Sequence, residues 1–182
     1  IDDTIEALLR DAVEAVDPSW GVLGEELTAR NRDATDAEHH VWLIDPQDGT
    51  AAALGGYRGS AVSVGLLRDG VPVLGGVVSC TGVDAFGWAE GEPFLRNGVP
   101  VVRAQWPTSL HSTHTVLVSQ AADRKVAGSL ANMEACAPAR PRPVASIAHR
   151  LALVAAGDAV AGVSLAGAGA WDYCAGHALL RA

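Results

Sequence analysis

Cysteine, basic charge and long apolar runs are all scarce in this chain, and each shortage narrows what it can be. The three cysteines, Cys80, Cys136 and Cys174, are widely spaced and form no Cys-x-x-Cys pair. A zinc ribbon has no support, and isolated cysteines behave as small buried apolar residues. A reducing compartment, the cytoplasm, is the simplest expectation. Lysine and arginine total 13 against 21 aspartates and glutamates, a formal net charge of −8. Without a basic run or an aromatic-basic stripe, a nucleic acid polymer is not an expected partner. An acidic protein can still take an anionic small molecule if bound divalent cations reverse the local field. No apolar stretch is long enough to span a bilayer and no signal peptide is present, so no membrane partner is expected. Internal repeats and low-complexity tracts are absent. The glycine pairs at 55–56 and 75–76 fit neither a Walker nor a dinucleotide-binding pattern.

What is there is a globular composition, 49% hydrophobic and 19% charged over 182 residues. That length suits one domain, or two small layered units sharing a core. Ile5, Leu8, Leu9, Ala12, Val13 and Val16 follow helical spacing, which predicts a helix over 2–16 stopped by Asp17-Pro18. A short apolar segment at 21–23 leads into Gly24-Glu25-Glu26, and 27–40 reads as a surface loop. The run Val41-Trp42-Leu43-Ile44 reads as a buried strand. Ser60–Leu67 and Val71–Ser79 read as a hairpin about Asp69-Gly70, followed by short strands at 84–90 and 93–95 and a turn at Asn97-Gly98. A strand is expected at 115–119, a helix at 121–137, a connector at 138–143, a helix at 146–156 with Ile147, Leu151 and Val154 on one face, and a strand at 160–165. Trp171-Asp172 opens a last helix. The mixture is α+β, or mixed α/β, in layers. The expected division is an N-terminal α+β half at 1–110 and a C-terminal α/β half at 111–182.

The most informative stretch is Asp45-Pro46-Gln47-Asp48-Gly49-Thr50. A β-favouring run ends in two carboxylates on a turn that Pro46 stiffens and Gly49 permits. Carboxylates so close repel unless a proton or a cation lies between them, and oxygen-only donors suit Mg²⁺. Taken alone the stretch is equally well an ordinary turn, since Asp, Pro and Gly dominate turns. Glu25-Glu26 alone reads as a solvated pair, and Asp172 as a helix cap.

Together, Gly24-Glu25-Glu26, Asp45-Pro46-Gln47-Asp48-Gly49-Thr50 and Trp171-Asp172 resemble the inositol monophosphatase family, in order and rough spacing over nearly the whole chain. The resemblance implies a layered α-β-α-β-α sandwich of the sugar-phosphatase type and a lithium-sensitive, Mg²⁺-dependent hydrolysis of a small phosphate monoester by a metal-activated water. Two or three Mg²⁺ ions are implied, with Mn²⁺ as a substitute, and a homodimer. Carried over by residue, Glu25, Asp45, Asp48, Asp172 and the carbonyl of Gln47 would hold the ions, with Glu26 outside them. Gly49 and Thr50 would meet phosphate oxygens through backbone N–H groups, and Asp172 and Ser146 would lie at the substrate. Thr50 would orient the water together with a carboxylate at the start of the first helix, Asp2 or its neighbour Asp3. Catalytic roles thus fall to Asp2, Glu25 and Thr50.

The resemblance is shortened at both ends, which implies a fragment or a reduced, even non-catalytic, member. Ala145-Ser146-Ile147 replaces the usual Gly-Ser-Ala or Gly-Thr-Ala, Ser164 stands where inositol-specific members have glutamate, and 51–56 lacks an aromatic. Those departures leave room for a 3′-phosphoadenosine 5′-phosphate substrate, a 3′(2′),5′-bisphosphate nucleotidase activity. His111-x-x-His114 lacks a third ligand, His39-His40 is expected in solvent, His149 and His177 show no partner, and the tryptophans read as core.

Overall fold

The computed structural model describes residues 2–102, 105–120, 125–164 and 167–182. In chain order the elements are α1 (Asp2–Glu14), β1 (Gly21–Gly24), a 3-10 turn (Thr28–Arg30), β2 (His40–Asp48), α2 (Thr50–Leu54), β3 (Ala61–Arg68), β4 (Val71–Ser79), β5 (Ala85–Ala89), β6 (Leu95–Arg96), β7 (Val99–Pro100) and β8 (Thr115–Ser119). They continue with α3 (Val126–Cys136), β9 (Arg140–Val144), α4 (Ile147–Ala155), β10 (Ala161–Gly162) and α5 (Ala170–Arg181). The first seven strands form one sheet in sequence order, with β1 parallel to β2 and every later pair antiparallel. Strands β10, β8 and β9 form a second, parallel sheet.

The layers follow from which faces are apolar. Val13 of α1 packs with Val22, Trp42, Ile44, Leu66 and Val73 on one face of the large sheet. The opposite face supplies Ala61, Val77 and Phe86 to the main core, which α4, α5 and Leu117 of β8 complete. The far side of the small sheet packs Val116 and Val118 with Cys136 of α3. The result is the expected α-β-α-β-α sandwich. Both expected hairpin turns form, with Asp69-Gly70 and Asn97-Gly98 at positive φ.

Several local expectations are corrected. Residues 138–143 are not a mere connector, because Arg140–Val144 is strand β9. Its prolines, Pro141 and Pro143, are tolerated since β9 lies at the edge of its sheet. Strand β2 does not stop at Ile44 but runs on to Asp48. The loop at 27–40 holds the 3-10 turn, and Arg32 bridges to Val22. His40 is not in open solvent: it stacks on Trp20 at 4.3 Å and meets Asp36 at 2.5 Å. Helix α1 ends at Glu14, short of the expected 16; on it Leu8 (66% exposed) and Ala12 face outward, as does Val16 beyond it, while Glu6 and Arg10 are fully buried beside Val13. Helix α4 is buried on most sides because it is sandwiched between the sheets, and of the expected Ile147–Leu151–Val154 stripe only Val154 is fully buried, Ile147 and Leu151 being half-buried. The expected β10 is confined to Ala161–Gly162. Residues 121–124 of the expected helix, Leu165 of the expected strand and residue 166 lie outside the described residues.

Candidate metal centre

Asp45 and Asp48 are three residues apart, so in a regular strand they would point to opposite faces. A β-bulge changes that. Asp45 pairs with Ser63 and Asp48 with Ala61, leaving two residues of β2 against one of β3. The extra residue restores the parity, and both carboxylates reach the same face. Gly49 follows at φ 95°, a left-handed conformation that favours glycine, and a Cβ there would lie 3.1 Å from that of Ala145. Helix α2 then turns away from the sheet.

Asp172 arrives from the other end of the chain. It sits in the first turn of α5 and accepts the Gly169 N–H at 2.5 Å. Ser63, fully buried on β3, donates to the Trp171 carbonyl at 3.1 Å and ties the start of α5 to the strand opposite Asp45. Carboxylate oxygens of Asp45, Asp48 and Asp172 lie within 4.8 Å of one another. Glu25 stands beside them, outside that group of three: its N–H reaches the Ile44 carbonyl at 3.3 Å, and its charge bears on Asp45.

Asp48 is held firmly. Ser146 Oγ and the Ala148 N–H both donate to its Oδ2 at 2.7 Å. Asp45 takes only the Gln47 N–H on Oδ1, at 2.8 Å, and its buried Oδ2 has no partner among the described residues. Burial, then the charges of Asp48 and Glu25, push Asp45 up to about 9. Burial raises Asp48 to about 6 against the pull of Ser146 and Ala148. Burial also raises Glu25, as do the charges of Asp172 and Glu26. The bare cluster therefore needs protons to exist, and a divalent cation can take their place. The orphaned Asp45 oxygen and the all-oxygen donor set fit Mg²⁺ or Mn²⁺. The Gln47 carbonyl accepts Thr50 Oγ1 at 2.7 Å and keeps a second lone pair for a cation.

The remaining expected residues fall into two groups. Asp2 lines the same cleft as Gln47, Ala53 and Leu54, so it opens onto the cluster's surroundings. Glu26 is exposed, outside the cluster. Ser146, expected at the substrate, is fully buried instead. Its hydroxyl is spent on Asp48 and on the His149 N–H at 2.8 Å. It caps α4 and positions a carboxylate. His149 is buried with both ring nitrogens unpartnered among the described residues. Burial lowers its pKa against the pull of Asp84 at 3.8 Å. The expectation from sequence overlooked Ser63, Glu6 and Arg10. Only the Glu6–Arg10 pair left a trace there, as an i,i+4 acid–base spacing.

Comparison with known proteins agrees with this geometry. The family model described as the inositol monophosphatase family matches residues 1–182. Protein y4fL of Sinorhizobium fredii, described as uncharacterized, is 34% identical over all of this chain and 62% of its own length. Inositol monophosphatase 1 of Bos taurus is 30% identical over 94% of this chain and 63% of its own. The chain thus spans less than two thirds of the length of these relatives. Among solved structures, inositol monophosphatase-II from Staphylococcus aureus superposes with a TM-score of 0.78 at 24% identity, over 99% of this chain and 68% of that one. Inositol monophosphatase from Anabaena gives 0.75 at 25%, over 99% and 71%. With the acidic blocks, the layered fold and the match along its whole length in agreement, this chain belongs to the inositol monophosphatase family.

Proposed function

We propose that this chain carries the catalytic centre of a Mg²⁺-dependent phosphomonoesterase acting on a small phosphorylated metabolite. The observation that carries the reading is the convergence of Asp45, Asp48 and Asp172, with Glu25 beside them, about a buried Asp45 oxygen that has no partner among the described residues. In this reading Glu25, Asp45, the Gln47 carbonyl, Asp48 and Asp172 hold the cations. Bound there, divalent cations supply Lewis-acid charge to the phosphoryl oxygens and acidify water. The protein's part is positioning, which suits a reaction with little covalent work for side chains.

The Thr50 hydroxyl gives its proton to the Gln47 carbonyl, so it offers an attacking water a lone pair and not a hydrogen. A water donating one proton to Thr50 directs its other to the Asp2 carboxylate, which accepts it as the water oxygen bonds to phosphorus and the phosphorus–alkoxide bond breaks, the departing alkoxide taking a proton from solvent. Asp2 stands in the first turn of α1 and lines the cleft beside Gln47. The N–H groups of Gly49 and Thr50, at the start of α2, are offered to phosphate oxygens, while those of Ala52 and Ala53 bond to the Gly49 carbonyl.

Asp45→Asn should abolish Mg²⁺-dependent phosphate release from a generic phosphomonoester while leaving the circular dichroism spectrum unchanged. Full activity in that variant would sink the assignment. A panel of inositol phosphate, 3′-phosphoadenosine 5′-phosphate, fructose bisphosphate and histidinol phosphate then identifies the alcohol.

A further inference from the structure

We propose that Glu6, Arg10 and Asn31 are positioning residues that hold the Glu25 loop in its cation-binding shape before any cation arrives; this rests on the cation-site reading above. Glu6 and Arg10 are both fully buried, and Glu6 Oε1 meets Arg10 Nε at 2.8 Å. Burying two charges in a helix face is costly unless their remaining donors and acceptors are also used. Here they are used on one target. Glu6 Oε2 accepts the Glu26 N–H at 2.7 Å, and Oε1 accepts that of Leu27 at 3.1 Å. Arg10 donates to the carbonyls of Leu27 and Arg30 and, at 2.5 Å, to Asn31 Oδ1. Asn31 closes the circuit on the other side of Glu25. Its Oδ1 takes the Gly24 N–H at 2.8 Å and its Nδ2 donates to the Gly24 carbonyl at 3.3 Å.

The two residues flanking Glu25 are therefore each held by a side chain, Glu26 by the buried Glu6 and Gly24 by the half-buried Asn31, and both restraints meet at Arg10. The fit is close enough that a Cβ on Gly24 would lie 2.2 Å from Glu6 Oε1. Backbone carrying a lone carboxylate beside three others would otherwise move away from them by repulsion. The clamp resists that, much as hydrogen-bonded partners orient metal ligands elsewhere. Asp2 and Glu6 stand four residues apart on α1, so the same helix face that clamps the ligand loop also carries the proton acceptor to the cleft.

The full chain tests this with the double variant Glu6→Leu/Arg10→Met, which replaces the ion pair by apolar side chains of similar size. Such exchanges usually leave a fold intact. The expected result is a thermal midpoint close to wild type, Mn²⁺ affinity by calorimetry weakened about 10- to 100-fold, and faster amide exchange at Glu26 and Leu27 in the metal-free protein. Asn31→Ala should move both readouts in the same direction by less, and it keeps the test open should the double variant not fold. Wild-type protein that binds Mn²⁺, with both variants matching it in affinity and in exchange, overturns the proposal. Wild-type protein that binds no divalent cation overturns the cation-site reading as well.

Discussion

Asp45 concentrates the chemistry of the site in one side chain. One of its oxygens is satisfied by Gln47 and the other is buried without a partner among the described residues. Its folded pKa of about 9 stands far above the ordinary 3.8. The metal-free folded protein therefore keeps a proton that the unfolded chain releases in between. That contribution to stability is complete below about 3.8 and is lost as pH rises toward 9. Asp48, raised to about 6, adds to the loss over the lower part of the window. Thermal melts in chelator should show the midpoint falling from about pH 4 to pH 9, and saturating Mg²⁺ should flatten or reverse that slope. A midpoint that rises with pH in chelator would contradict the crowding of carboxylates. This behaviour was half legible in the sequence: proximity of Asp45 and Asp48 follows from their spacing, but burial of both does not.

Among the elements, α5 and the floor beneath it set how closely Asp172 approaches the other carboxylates. Gly65 and Gly75 leave room for the helix. A Cβ at Gly65 would lie 2.6 Å from Cys174 Sγ, and one at Gly75 would lie 2.3 Å from the Ala175 carbonyl oxygen. Backbone cannot yield as a flexible side chain can, so Gly75→Ala should lift α5 off the sheet. We expect a loss of about 1–3 kcal/mol in denaturant unfolding, together with weaker Mg²⁺ binding, because Asp172 rides on that helix. A variant that loses stability but binds Mg²⁺ unchanged would show that α5 does not set the geometry. The sequence offered Gly75-Gly76 only as a pair matching no nucleotide motif. Its packing purpose depends on a helix about 100 residues further along the chain. Helix α1 teaches the converse. Its apolar spacing was correct for a helix but wrong for the buried face, since the loop after β1 gives Glu6 and Arg10 enough hydrogen bonds to be buried in place of Leu8 and Val16.

Across the whole molecule, the cation site joins segments that are distant in sequence. Glu25 comes from the loop after β1 and the Asp45–Asp48 bulge from β2, while Asp172 comes from α5, and Ser146 at the start of α4 holds Asp48. Cations bridging these should bind only the folded chain. At 100-fold excess over Kd such a ligand adds about 2.7 kcal/mol to unfolding. Asp172→Asn should remove most of the Mg²⁺-dependent rise in midpoint, and retention of the full rise would place the cations elsewhere. The sequence by itself determined most of the larger elements, the two tight turns and the family, because turn chemistry, periodicity and short motifs are local; it left out α2 and β9. Only the tertiary structure decided which side of β2 the carboxylates share, that Ser146 serves Asp48 and not a substrate, and that a buried ion pair on α1 grips the Glu25 loop. Each of those depends on a bulge register or a contact between distant segments, and the free energy of such contacts comes from burial that no local stretch of sequence can specify.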